Sequence, residues 1–185
     1  MSDKPSGLQR LEVVLDTCVW IMAHESGSLD ALLLLGRDSV NWLIPWEKDP
    51  TEATIISELQ LHLPDDAVTR ILNDPGGPAK VDMDASDVLL TYRIHQQFFV
   101  VPSRSTPRSR DGGRAAANEG EAAGIAAAIK KEACFCTNEK DKALTAAKAE
   151  LGQSKAFHFK DLMIHLEENG ITLPSPLFGK QKRKP

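Results

Sequence analysis

The chain has 185 residues, 42% of them apolar, which suits one domain around a single buried core. Its 22 Lys plus Arg face 26 Asp plus Glu, a formal charge of −4. No chain-wide positive field can therefore hold nucleic acid by counter-ion release, and any such contact must be local. Apolar runs such as Val13 to Leu15 and Ala31 to Leu35 fall far short of the roughly 20 residues that span a bilayer. The polar opening does not match a secretory signal, because the apolar run after it is broken at Asp16. A cytoplasmic protein without a membrane span is expected, with residues 1–10 as a flexible N-terminus.

Leu11 to Leu15 is rich in Val and Leu and stops at Asp16-Thr17, so it reads as a buried strand followed by a helix start. Val19 to Ala23 continues as that helix. Leu29 to Leu35 predicts a second helix ended by Gly36, and Trp42 to Ile44 a second strand before Pro45. Ile55, Ile56, Leu59 and Leu63 recur on one helical face. Asp65 to Leu72 reads as a short helix stopped by the turn cluster Asn73 to Pro78. Ala85 to Gln96 follows as a longer helix, with Val88, Leu89, Tyr92 and Ile94 available for burial. Phe98 to Val101 is expected to form the third strand.

Ser103 to Glu119 has almost no large apolar side chain and carries Arg104, Arg108, Arg110 and Arg114. An unstructured stretch longer than about 12–15 residues inside a compact domain is usually a functional loop or a disordered one. The four arginines read either as solvating charges or as a flap that faces nucleic acid. Glu121 to Lys131 is Ala-rich, a strong helix signal. Cys134 to Thr137 predicts a strand, Lys140 to Lys148 a helix, Ala156 to Phe159 a strand, and Asp161 to Glu168 a helix capped by Gly170. A domain over 11–173 is expected, with a basic tail over 174–185 containing Lys180, Lys182, Arg183 and Lys184. Strands alternating with helices at this spacing imply an α/β domain with a mainly parallel sheet and helices on both faces. Ligands of such sheets collect at the carboxyl ends of the strands.

Cys18, Cys134 and Cys136 are odd in number and lie in apolar segments, which argues against disulfides and against a thiolate metal site. His24, His62, His95, His158 and His165 show no metal-ligand spacing, and surface or satisfied buried positions are expected for them. Trp20, Trp42 and Trp46 read as core residues, with base stacking an alternative for Trp46.

The acidic residues carry the chemistry. Asp16 stands directly after the first strand, Glu139 two residues past Thr137, Glu121 at the start of the Ala-rich helix, and Glu58 on the helix after the second strand. Taken singly, Asp16 is more commonly a helix N-cap than a metal ligand, Glu121 is accounted for by the helix macrodipole and Glu58 by a solvated helix face. Taken together they could converge at one sheet edge. Two like charges about 4 Å apart repel by about 4 kcal/mol at an effective dielectric of about 20, so such a cluster calls for a cation or a proton. Oxygen-only ligation suits Mg2+ or Mn2+, which clamp phosphate oxygens and turn bound water into a nucleophile. Phosphodiester hydrolysis follows from that chemistry.

The ordered set of motifs resembles the PIN-domain nucleases, including toxins of the VapC type. Val13-Val14-Leu15-Asp16-Thr17 is similar to their opening strand and first metal ligand, and Ser57-Glu58-Leu59 to their second acidic motif. Gly120-Glu121-Ala122-Ala123-Gly124 resembles the third, and Cys136-Thr137-Asn138-Glu139-Lys140-Asp141 the fourth. The resemblance implies a PIN-like three-layer α/β/α sandwich and Mg2+- or Mn2+-dependent RNA cleavage. Asp16, Glu58, Glu121 and Glu139 would hold metal and orient water, with Asp141 as a further ligand, and Thr17, Thr137 and Asn138 would support them. Glu52 and Glu47 are alternatives to Glu58, and Asn138, Glu139 and Asp141 compete within the fourth motif. RNA, a small antitoxin protein and a second copy of the chain are the implied partners. The alternative from another class is a catalytically inactive PIN-like module that binds protein or RNA.

Overall fold

Strand β1, Leu11–Leu15, has Val13, Val14 and Leu15 fully buried, as a strand covered on both faces requires. The computed structural model describes residues 10–46, 54–100 and 118–175. In it β1 is joined by β2 (Val40–Trp46), β3 (Ala79–Asp82), β4 (Cys134–Thr137) and β5 (Ala156–His158). All pairings are parallel, in the order β3-β2-β1-β4-β5. The chain leaves β1 to one side for β2 and β3, then returns to the other side for β4 and β5. That reversal puts a topological switch point between β1 and β4, where a crevice forms at the carboxyl ends of the strands.

The helices are α1 (Thr17–Glu25), α2 (Leu29–Asp38), α3 (Thr54–His62), α4 (Asp65–Asn73), α5 (Ala85–Ile94), α6 (Glu119–Lys131), α7 (Lys142–Leu151) and α8 (Phe159–Glu168). Alternation along each strand sorts them into two layers. Val13, Leu15, Trp42, Ile44, Cys134 and Cys136 face one core with Trp20 of α1, Leu32 of α2, Leu59 of α3, Ile71 of α4 and Leu162 of α8. Val14, Leu43 and Phe135 face the other, with Ile94 of α5, Ile125 of α6 and Ala146 of α7. The architecture is the expected three-layer α/β/α sandwich on a parallel sheet. Among the described residues no helix is long and apolar enough to cross a membrane.

Several local expectations are corrected. Gly36 does not end α2, which continues to Asp38. It lies inside the helix because the turn through Gly76 crosses there: a Cβ at Gly36 would sit 2.0 Å from the Gly76 carbonyl oxygen and 2.5 Å from Trp42 Cδ1. The third strand is not Phe98 to Val101. His95–Phe99 is a π-helical turn that extends α5, with Phe99 turned into the core, and Val101 lies outside the described residues. The strand is instead Ala79–Asp82, directly after the stretch read as turn; only Val81 of its four residues is buried. Of the α5 side chains expected in the core only Ile94 is buried, while Val88, Leu89 and Tyr92 are exposed. Residues 1–9, Glu47, Glu52, the four loop arginines and the tail from 176 on lie outside the described residues.

Trp20 and Trp42 are core residues as read, and Trp42 Nε1 donates to the Leu32 carbonyl at 3.0 Å. Trp42 is thereby pinned to α2 beside the glycine crossing. Gly36→Ala is expected to lower stability by about 3 kcal/mol, since neither the Gly76 backbone nor the buried indole can yield cheaply. Urea unfolding of the variant measures this; an unchanged midpoint would show that α2 and the Gly76 turn are not in contact.

Candidate metal centre

Asp16 occupies the N-cap position of α1, yet its side chain makes no capping hydrogen bond. The carboxylate turns toward the crevice, 5% exposed, and its backbone N–H is tied to the Cys136 carbonyl of β4 at 2.9 Å. Oδ2 accepts from Thr137 Oγ1 at 2.7 Å and from Cys18 Sγ at 3.1 Å. Thr137, at the end of β4, is itself oriented by the Glu139 N–H, which donates to its Oγ1 at 3.0 Å. Burial, helped by the neighbouring Asp16 charge, pushes the Cys18 thiol far above its ordinary range, so it stays a donor. Asn138 enters through its backbone, its N–H donating to Cys18 Sγ at 3.4 Å.

Glu58 arrives from α3, which packs against both α1 and α6 at the top of the sheet. Its Oε2 accepts from Thr17 Oγ1 at 2.6 Å, and the same hydroxyl lies 3.3 Å from Asp16 Oδ1. One hydroxyl thus spans two carboxylates. Desolvation raises the Glu58 carboxyl above its usual range; the Asp16 and Glu139 charges push the same way, against the hydrogen bond from Thr17.

Glu121 is carried by α6, whose small residues let it lie close on the sheet. Ala122, Ala123, Gly124, Ala126, Ala127 and Ala128 are all buried, and a Cβ at Gly124 would stand 2.8 Å from the Phe135 ring on β4. Glu121 is 7% exposed, and its Oε2 is buried with no hydrogen-bond partner. Burial first, then the charges of Asp16, Glu58 and Glu139, pushes its carboxyl up to about 8. Glu139 is exposed and is raised by desolvation and by the charges of Asp16 and Asp141. Asp141 stands exposed at the N-cap of α7 without capping it, and meets the cluster only through its effect on Glu139.

The structure therefore brings Asp16, Glu58, Glu121 and Glu139 together beside the carboxyl ends of β1 and β4, with Thr17 and Thr137 holding the first two. Among the described residues no three His, Cys, Asp or Glu side chains already form an ion-holding group. The donor set nevertheless fits a hard divalent cation. A desolvated carboxylate oxygen without a partner, facing other carboxylates, lacks only positive charge. Sequence reasoning missed two members of this surrounding. Cys18 carries no motif signal beyond following Asp16 by two residues. His158, on β5, receives the Lys160 N–H at Nδ1 (3.3 Å), which puts its proton on Nε2, 3.1 Å from the Asn138 carbonyl. It ties the loop bearing Glu139 to the neighbouring strand. Trp46, at the same edge, is half-buried with Lys80 Nζ 3.4 Å from its ring centroid, a cation–π contact.

A further cleft of about 690 Å³ lies at the opposite edge of the sheet, lined by Arg10, Asp38, His165 and Asn169 among others. It is remote from the strand carboxyl ends. No protein-family model matches the chain, and no curated protein sequence does.

The raised Glu121 carboxyl has a measurable consequence for the metal-free protein. Its folded pKa of about 8 lies above the unfolded value of 4.5, so the native state binds the extra proton between those values. The stabilisation it gives is complete below pH 4.5 and is lost as pH rises through 8. Glu121→Gln keeps the shape and removes the titration. In chelator at pH 9 the variant is expected to be more stable than the wild type by on the order of 1–3 kcal/mol. At pH 5 the two should be close. Thermal unfolding at both values decides it; a variant less stable at pH 9 would mean that Glu121 is not crowded by negative charge.

Proposed function

We propose that the chain is a cytoplasmic, metal-dependent endoribonuclease of the PIN type, acting through the carboxylates at the β1–β4 crevice. One observation carries the reading: four acidic residues from four separate stretches of chain come close enough at one sheet edge to perturb one another, and Glu121 among them has an unsatisfied, desolvated oxygen. A structural role does not explain this gathering, because each carboxylate raises the cost of ionising the next. Asp16 does not cap its helix, and Glu121 is buried instead of lying on the solvated first turn of α6.

In this reading Asp16, Glu121 and Glu139 would hold Mg2+ or Mn2+, with Asp141 near enough in sequence to join them. Such an ion, when bound, would supply an activated water and neutralise charge on the phosphate oxygens. The chain's own residues set the geometry. Thr137 fixes one oxygen of Asp16, leaving the other to face the crevice beside Thr17. Glu58, already held by the Thr17 hydroxyl and with an elevated pKa, is suited to take or return a proton near the reacting water. Cys18 keeps its proton and serves Asp16 as a donor. A toxin role, with a small antitoxin that covers the crevice, extends the same reading to biology.

Asp16→Asn preserves volume and removes the charge at the centre of the network. With Mn2+ the wild type is expected to cleave single-stranded RNA, with cleavage abolished by chelator, and the variant to retain less than about 1% of the rate. Equal cleavage by both proteins would place any activity elsewhere. No cleavage by either would favour the inactive binding module.

A further inference from the structure

A chain with a net charge of −4 that takes a polyanion into an acidic crevice must provide cations close by. The carboxyl ends of β4 and β5 supply them. A notch of about 350 Å³ opens there, lined by Lys140, Leu144, His158, Lys160 and Asp161. Its volume is at the small end of the roughly 300–1,000 Å³ range of ligand sites. Lys140 directly follows Glu139, so the notch adjoins in the chain the exposed member of the carboxylate cluster.

Its electrostatics are one-sided. Among the described residues the ion pairs occupy Arg37, Arg70, Arg93 and Lys130, and neither Lys140 nor Lys160 joins one. Asp161 is the one carboxylate on the lining, so two ammonium groups outnumber it. His158 forms a rigid wall, 7% exposed, with both ring nitrogens engaged by the Lys160 N–H and the Asn138 carbonyl. Because Asn138 also adjoins Glu139, the same histidine sets the position of the notch relative to the cluster. The first turn of α8 faces it as well and adds a smaller positive potential.

We propose that this notch is the seat of a backbone phosphate of single-stranded RNA next to the scissile one, held by Lys140 and Lys160. The proposal rests on the ribonuclease reading for the identity of the strand, but the notch itself binds without chemistry. Contact is with phosphate, so it positions the strand and reads no base. An alternation of acidic cluster and basic notch along one edge then explains how a net-negative protein tolerates its substrate.

The test is binding of a fluorescein-labelled single-stranded oligoribonucleotide to the full chain in Ca2+, measured by anisotropy across a salt series. Lys140→Gln/Lys160→Gln is expected to bind about tenfold more weakly near 0.1 M salt, and to lower the slope of log K against log salt by about 0.7, one phosphate contact's worth for a single strand. Lys140→Arg/Lys160→Arg should restore both. Melting curves of each variant guard against misfolding, since these exposed side chains should leave the midpoint unchanged. Wild-type affinity and slope in the glutamine variant would overturn the proposal, as would a wild type that binds no RNA. Cleavage by the wild type in Mn2+ is scored separately. Cleavage with lysine-independent binding removes the notch and leaves the nuclease, whereas lysine-dependent binding without cleavage does the reverse.

Discussion

Negative charges crowded out of water govern this molecule. Asp16, Glu58 and Glu121 are drawn together where solvent is largely excluded, with Glu139 at the rim. Two of them are partly compensated by hydroxyl and thiol donors, whereas the Oε2 of Glu121 has no partner. A fold gains nothing in stability from such an arrangement. Protonation of Glu121 relieves it in the free protein; a divalent cation would relieve it more completely.

The sheet makes the crowding unavoidable. With β1 central and the strand order reversing beside it, the residues that follow β1 and β4 necessarily stand side by side, and the Asp16 N–H to Cys136 carbonyl bond locks them. The alanines and Gly124 of α6 bring that helix close enough for its first turn to reach the same place. The layer on the opposite face contributes α1 with Thr17 and Cys18, and α3 with Glu58. Each part of the fold near the crevice thus delivers one acidic group or one donor that steadies it.

Much of this was legible in the chain itself. Leu11–Leu15 and Cys134–Thr137 have the predicted bounds because each is an apolar run, buried on both faces, with a polar stop. The Ala-rich α6 was equally plain. Ala79–Asp82 was hidden because an edge strand with one buried residue has no apolar pattern to read. Phe98 and Phe99 imitated a strand, since two adjacent aromatics carry no period and a π-helical turn leaves no composition signal. Val88, Leu89 and Tyr92 look like core residues by type and lie exposed on α5. Of the site, Asp16, Glu121 and Glu139 were readable from their places at element ends, and Thr17 and Thr137 from their neighbours. Cys18 and His158 were not, because their parts depend on contacts between segments far apart in the chain.

On the proposed reading these carboxylates hold a divalent cation, and the most direct measurement is anomalous diffraction from a crystal soaked in Mn2+. A peak within ligand distance of Asp16 and Glu121, with Glu139 or Asp141 completing the oxygen set, is the predicted result. Density that shows no ion between Asp16 and Glu121 at saturating Mn2+, or an ion seated elsewhere, would contradict it.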